Sequence, residues 1–89
     1  MADRDLELLQ FPTAYPIKVV CRRRAELRIE IDAIVRRHTH DLGDDAIQER
    51  DSSAGNFVSI SYALTARSAE HITGLIVELR AHDCVVMVL

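Results

Sequence analysis

Apolar residues recur at every second position over some stretches of this 89-residue chain and at helical spacing over others, and the order of those stretches defines a fold. From Tyr15 to Cys21, the residues Ile17, Val19 and Cys21 fall on one side of an extended chain, which predicts a first strand. From about Ala25 to His40, Leu27, Ile31, Ile34, Val35 and His38 form one stripe of a helix, with Ile29 off it. Gly43 follows as a helix exit. Ala46 to Asp51 is short and polar at alternate positions, as suits a sheet edge where charge discourages pairing with other chains.

Ser52 to Asn56 contains Gly55, the one residue type that takes positive φ freely, so the segment predicts a hairpin turn. The next strand alternates most clearly, with Val58, Ile60, Tyr62 and Leu64 on one face and Phe57, Ser59, Ser61, Ala63 and Thr65 on the other. Ser68 is placed to cap a second helix striped by Ile72, Leu75, Ile76 and Leu79, and Gly74 opposite that stripe weakens it. Cys84 to Leu89 is apolar at both parities, which predicts a last strand covered on both sides. Strand, helix, strand, strand, helix, strand predicts an α+β fold of ferredoxin-like βαββαβ type. Its four-stranded antiparallel sheet has the order 4-1-3-2, with two helices on one face. Residues 1–12, ending at Phe11-Pro12, read as an N-terminal arm, and 13–89 as the single domain.

Composition narrows the function classes. An apolar fraction of 48% with 28% charged residues is globular, and the chain is long enough for one core only. Eleven cations against fourteen acids leave a net charge of -3, which disfavours nucleic acid as a partner. Two cysteines are too few for a disulfide framework, the first ten residues lack a basic leader, and no apolar run approaches the roughly 18 residues of a membrane span. The expectation is a cytoplasmic protein without a membrane partner.

The segments FPTAYPIKVV, IVRRHTH, SSAGNFVSISYALT and the terminal VVMVL, in this order and spacing from Phe11 to Leu89, are similar to the YbeD-like family of small bacterial proteins. That resemblance implies a fold related to the ACT-type regulatory domains, which bind amino acids at the edges of paired sheets. It also implies a loose link to lipoate metabolism through neighbouring genes, and no defined activity. The chain departs from the family pattern after the first strand, where Cys21 and Arg22-Arg23-Arg24 stand in place of a glycine-containing turn, which argues against amino-acid sensing.

In this topology the first strand ends, the last begins and the hairpin turns at one end of the sheet. Arg22, Arg23 and Arg24 before the first helix, with Ser52, Ser53 and Asn56 from the turn, make a candidate ligand site for a small anion. The bland alternative is a solvated charge run beside acids such as Glu26. Cys21, His82 and Cys84 gather near the same end, but without ligand spacing for zinc, and buried cysteine is an ordinary small hydrophobe. His38, His40 and His71 fall at the opposite end, where a helix dipole stabilises a cationic histidine without any function. No catalytic set, metal site or cofactor is implied. The uncovered sheet face, with Phe57, Ser59, Ser61, Val86 and Val88 or their neighbours, is a candidate interface, covered by the arm through Leu6, Leu9 and Phe11 or by a second copy in a homodimer.

These readings favour a non-enzymatic regulatory or adaptor module that binds a protein partner or a small anionic ligand. An RNA-binding module of the same topology is the alternative, weakened because Phe57 is the one exposed stacking ring. An acylphosphatase-like hydrolase using Arg23 and Asn56 ranks third, since the glycine-rich phosphate cradle is missing.

Overall fold

The computed structural model describes residues 10–89. Strand β1 (Thr13–Arg22) leads to helix α1 (Leu27–His38), then a 3-10 turn (Asp44–Ala46) and strands β2 (Ile47–Asp51) and β3 (Phe57–Ala66); helix α2 (Ala69–Ala81) and strand β4 (Val85–Val88) complete the chain. The four strands form one antiparallel sheet in the order β2-β3-β1-β4, as the pattern predicts.

Helix α1 is shorter at both ends than the predicted span of about Ala25 to His40. Glu26 sits at φ 64, in the left-handed region, so right-handed helix begins only at Leu27. At the other end Thr39 is already extended, and its N–H closes the last turn on the Val35 carbonyl. Ile29, off the stripe, is 71% exposed. Helix α2 starts where expected, because the Ser68 hydroxyl accepts the His71 N–H at 3.0 Å and satisfies one of the free amides of the first turn.

One core lies between the helices and one face of the sheet. Ile17, Val19 and Cys21 from β1 and Val58, Ile60, Tyr62 and Leu64 from β3 bury against Leu27, Ile31, Ile34 and Val35 of α1 and Ile72, Leu75 and Leu79 of α2. Each such side chain contributes roughly 1.5–3 kcal/mol by leaving water. Phe11 also packs on this core, so it does not cover the opposite face as the arm was expected to do. Leu6 and Leu9, assigned the same role, lie outside the described residues.

Strand β4 corrects a second expectation. The pairing Cys21↔Val85, Val20↔Met87 and Val19↔Val88 contains a bulge, with Val86 as the extra residue. Val85 and Val88 therefore turn toward the core, while Val86 and Met87 are 48% and 47% exposed. The strand is covered on one side only. Val88, predicted on the open face, is replaced there by Met87.

Candidate functional site: the open face of the sheet

The three arginines after β1 diverge. Arg23 Nε donates to the Gly55 carbonyl at 2.7 Å and its guanidinium also pairs with Asp51, clamping the hairpin turn to the end of β1. Arg24 grips both oxygens of Glu30 at 3.1 and 2.6 Å and donates to Cys84 Sγ at 2.8 Å. Arg22 lies opposite Phe57 on the open face. Within the turn, the Ser52 hydroxyl accepts the Phe57 N–H at 3.2 Å and the Asn56 carbonyl accepts the Arg23 N–H at 3.0 Å, while Ser53 is an exposed turn residue. The polar groups of this end are thus largely occupied in turning and fastening the chain. In particular, the Arg23 guanidinium is committed to Gly55 and Asp51 and not to an open cradle beside Asn56.

Cys84 joins a closed network. The His82 Nδ1 accepts the Cys84 N–H at 3.1 Å, which fixes the proton on Nε2, and Nε2 donates to Glu30 at 2.8 Å. His82, Asp83 and Cys84 bring ligand atoms within 4.8 Å of one another, yet both imidazole nitrogens already have partners. Arg24, then His82, holds the Glu30 carboxyl down to about 2. Burial, reinforced by Cys84, pushes the Cys21 thiol up to about 11, so it stays protonated at neutral pH.

At the opposite end the histidines tie the helices together. His38 Nε2 meets Glu78 Oε1 at 2.7 Å, and His71 Nε2 donates to the His38 carbonyl at 2.6 Å while His71 Nδ1 accepts the Arg67 N–H at 3.1 Å. His40 is exposed.

The open face is different in kind. Its strand positions are Ala14, Pro16, Lys18, Val20 and Arg22 on β1, Phe57, Ser59, Ser61, Ala63 and Thr65 on β3, Gln48 and Arg50 on β2, and Met87 on β4. The register lays Met87, Val20, Ser59 and Arg50 in one row across the sheet, with Lys18, Ser61 and Gln48 in the next. Leu89 pairs its backbone with Lys18 at 2.8 and 3.0 Å and extends that row. Lys18, Gln48, Glu49, Arg50, Ser59 and Ser61 line an open depression of about 480 Å³. Phe57, Val86, Met87 and Leu89 are 39, 48, 47 and 64% exposed, Phe57 at the hairpin end of the sheet and the others on or just after β4.

Charge on this face is sorted. Lys18, Arg22 and Arg50 are exposed, and none of the strand positions of the open face is a carboxylate. Glu49 and Asp51 alternate to the helix side and pair there with Arg28 and Arg23. Asp45, in the turn before β2, borders an adjoining depression with Pro16, Gln48, Ser61 and Ala63. Sequence parity places Phe57, Ser59 and Ser61 here; Lys18 and Arg50 go unremarked in the pattern because they lie on strands far apart in the chain, and only the register joins them.

A four-stranded βαββαβ sheet with both helices on one side and an uncovered face on the other defines a small ferredoxin-like α+β domain. The chain belongs to the family described as protein of unknown function (DUF493), whose profile matches residues 6–89. It is 34% identical over 89 residues to a UPF0250 protein of Chromobacterium violaceum, covering 100% of both chains. It is 42% identical over 83 residues to a UPF0250 protein of Shewanella loihica, covering 93% of this chain and 92% of that one. The YbeD-like resemblance is borne out by these relatives. Its fold is similar to that of the ACT domain from the GTP pyrophosphokinase of Chlorobium tepidum, solved by solution NMR, with a TM-score of 0.71 at 14% identity over 90% of this chain and 86% of that one. Among the described residues no helix is long and apolar enough to cross a membrane.

Proposed function

We propose that this domain is a non-enzymatic regulatory or adaptor module of the cytoplasm that works by docking a protein partner on its open sheet face. The observation that supports this reading is the coincidence, on one uncovered surface, of Phe57, Val86, Met87 and Leu89 with Lys18, Arg22 and Arg50. Exposed apolar side chains grouped with cations are costly to leave in water and are what a partner surface uses. The groups that could do chemistry, by contrast, are engaged with one another: Arg24, Glu30, His82 and Cys84 at one end and His38, Glu78 and His71 at the other. The loose tie to lipoate metabolism that the family resemblance implies is compatible with an adaptor and assigns no residue.

Affinity capture from a bacterial lysate with the wild-type chain, Phe57→Asp and Met87→Asp tests the proposal. A protein held by the wild type and lost by both variants, with melting temperatures unchanged, is expected. Equal retention by all three chains overturns the assignment to this face.

A further inference from the structure

We propose that the partner presents an extended acidic segment to this face, with carboxylates over Lys18 and Arg22 and an apolar side chain over Val20 between them. The inference rests on the docking reading above and specifies the chemistry of what docks.

The pattern follows from the strand. Lys18, Val20 and Arg22 share one face of β1, and residues four apart on a strand are separated by roughly 13 Å. An extended chain laid along β1 repeats its own side chains at the same interval, so it matches this row with an acid, an apolar residue and an acid at every second position. Met87, beside Val20, and Phe57, beside Arg22, widen the apolar contact. Arg50, in the row of Val20 at the far side of Ser59, leaves a further cation for a carboxylate displaced toward β2.

Charge complementarity selects this occupant over others. A second copy stacked face to face would set Lys18, Arg22 and Arg50 against their own like, with no carboxylate on the same strand positions to answer them. Single-stranded RNA needs several stacking rings, and Phe57 is the one aromatic side chain on this face, Tyr62 being buried in the core. A small anion in the depression could meet Lys18 and Arg50 but would leave Arg22, Val20, Phe57 and Met87 unused. Among the described residues Glu49 and Asp51, the acids of β2, pair with Arg28 and Arg23, and no strand position of this face carries a carboxylate to answer its cations.

The test is fluorescence anisotropy with the full chain and a labelled nine-residue peptide that alternates glutamate and leucine at every second position with threonine between. Saturable binding is expected at low salt. It should weaken severalfold in Lys18→Glu and in Arg22→Glu, and by about tenfold or more in the double variant or on adding salt. A matched peptide with lysine for glutamate should fail to bind. Equal binding of the lysine peptide, tighter binding of an oligouridylate, displacement of the peptide by millimolar inorganic phosphate, or a dimer by sedimentation that Lys18→Glu dissociates would each overturn the proposal. So would an absence of peptide binding. If Phe57-dependent capture persists in that last case, the docking reading stands and only the acidic chemistry falls.

Discussion

The phenol of Tyr62, on the central strand β3, donates to Asp32 Oδ1 of α1 at 2.5 Å. Asp32 in turn accepts from Arg28 Nε at 2.8 Å, and Arg28 Nη1 reaches Glu49 on β2 at 2.9 Å, so one hydroxyl begins a chain that fastens the helix to the sheet edge. Burial, with the hydrogen bond to Asp32, pushes the phenol far above its ordinary range.

Tyr62→Phe keeps the ring in the core and leaves Asp32 paired with Arg28, so its cost is that of one charge-assisted hydrogen bond, about 1–2 kcal/mol. Tyr62→Ala adds a cavity and should cost roughly 3–5 kcal/mol. Urea denaturation followed by circular dichroism checks both, and a Tyr62→Phe protein as stable as wild type would show that the bond to Asp32 contributes nothing.

Glu30 carries an acid-range signature. Its carboxyl is lowered from 4.5 to about 2, chiefly by Arg24 and then by His82. A group with a depressed folded pKa contributes stability that is present above its unfolded value and lost as pH falls through the folded one. The difference in melting temperature between wild type and Glu30→Gln is therefore expected to hold from neutral pH to about 4.5 and to close toward about 2. A gap that stays constant over that interval contradicts the assignment.

Glycines of opposite sign separate two backbone effects. Gly55 lies at φ 78 with nothing near its missing Cβ, so Gly55→Ala suffers only the conformational penalty of the left-handed region, about 1 kcal/mol. A Cβ on Gly74 would rest 3.7 Å from the His38 ring, an ordinary contact, while the helix gains propensity. Gly74→Ala is thus expected to stabilise by about 0.5–1 kcal/mol. Thermal unfolding of the two variants should move in opposite directions.

The strands were legible because one buried face imposes a period of two, and β3 shows it without a break from Phe57 to Ala66. The topology followed from their order. The bulge at Val86 was not legible: an apolar run reads the same at either parity, and only pairing with Cys21 and Val20 decides which valines face out. The site was half legible for a related reason. Phe57, Ser59 and Ser61 are placed by alternation, whereas the fate of the arginine run depends on the distant partners Asp51, Gly55, Glu30 and Cys84, which no local pattern reveals.

Glu26 takes the left-handed conformation, at φ 64, in the turn between β1 and α1. A non-glycine residue there costs roughly 1–2 kcal/mol, and glycine returns part of that gain through the greater freedom of its unfolded chain. Glu26→Gly is expected to stabilise by about 0.5 kcal/mol in chemical denaturation, and a loss of stability would mean that the side chain holds the turn in some further way.

His38 supplies a pH dependence nearer neutrality. Its ring lies under α2, with Glu78 on Nε2 at 2.7 Å and the Gly74 backbone close by. Burial, then the charges of Arg37 and His71, lowers its pKa below the ordinary 6.5. Glu78, which pairs with His38, also pairs with Arg37. The neutral ring is the form the fold prefers, so its contribution is complete above about 6.5 and is lost as pH falls through the lowered value. His38→Gln keeps a donor for Glu78 but cannot take up a proton. Its melting temperature is expected to fall less than that of the wild type as pH drops below 6.5 toward the lowered value, ahead of the carboxylate range in which Glu30 acts. Parallel curves for the two proteins would mean that His38 does not titrate in that interval and that its ring serves only to join α1 to α2.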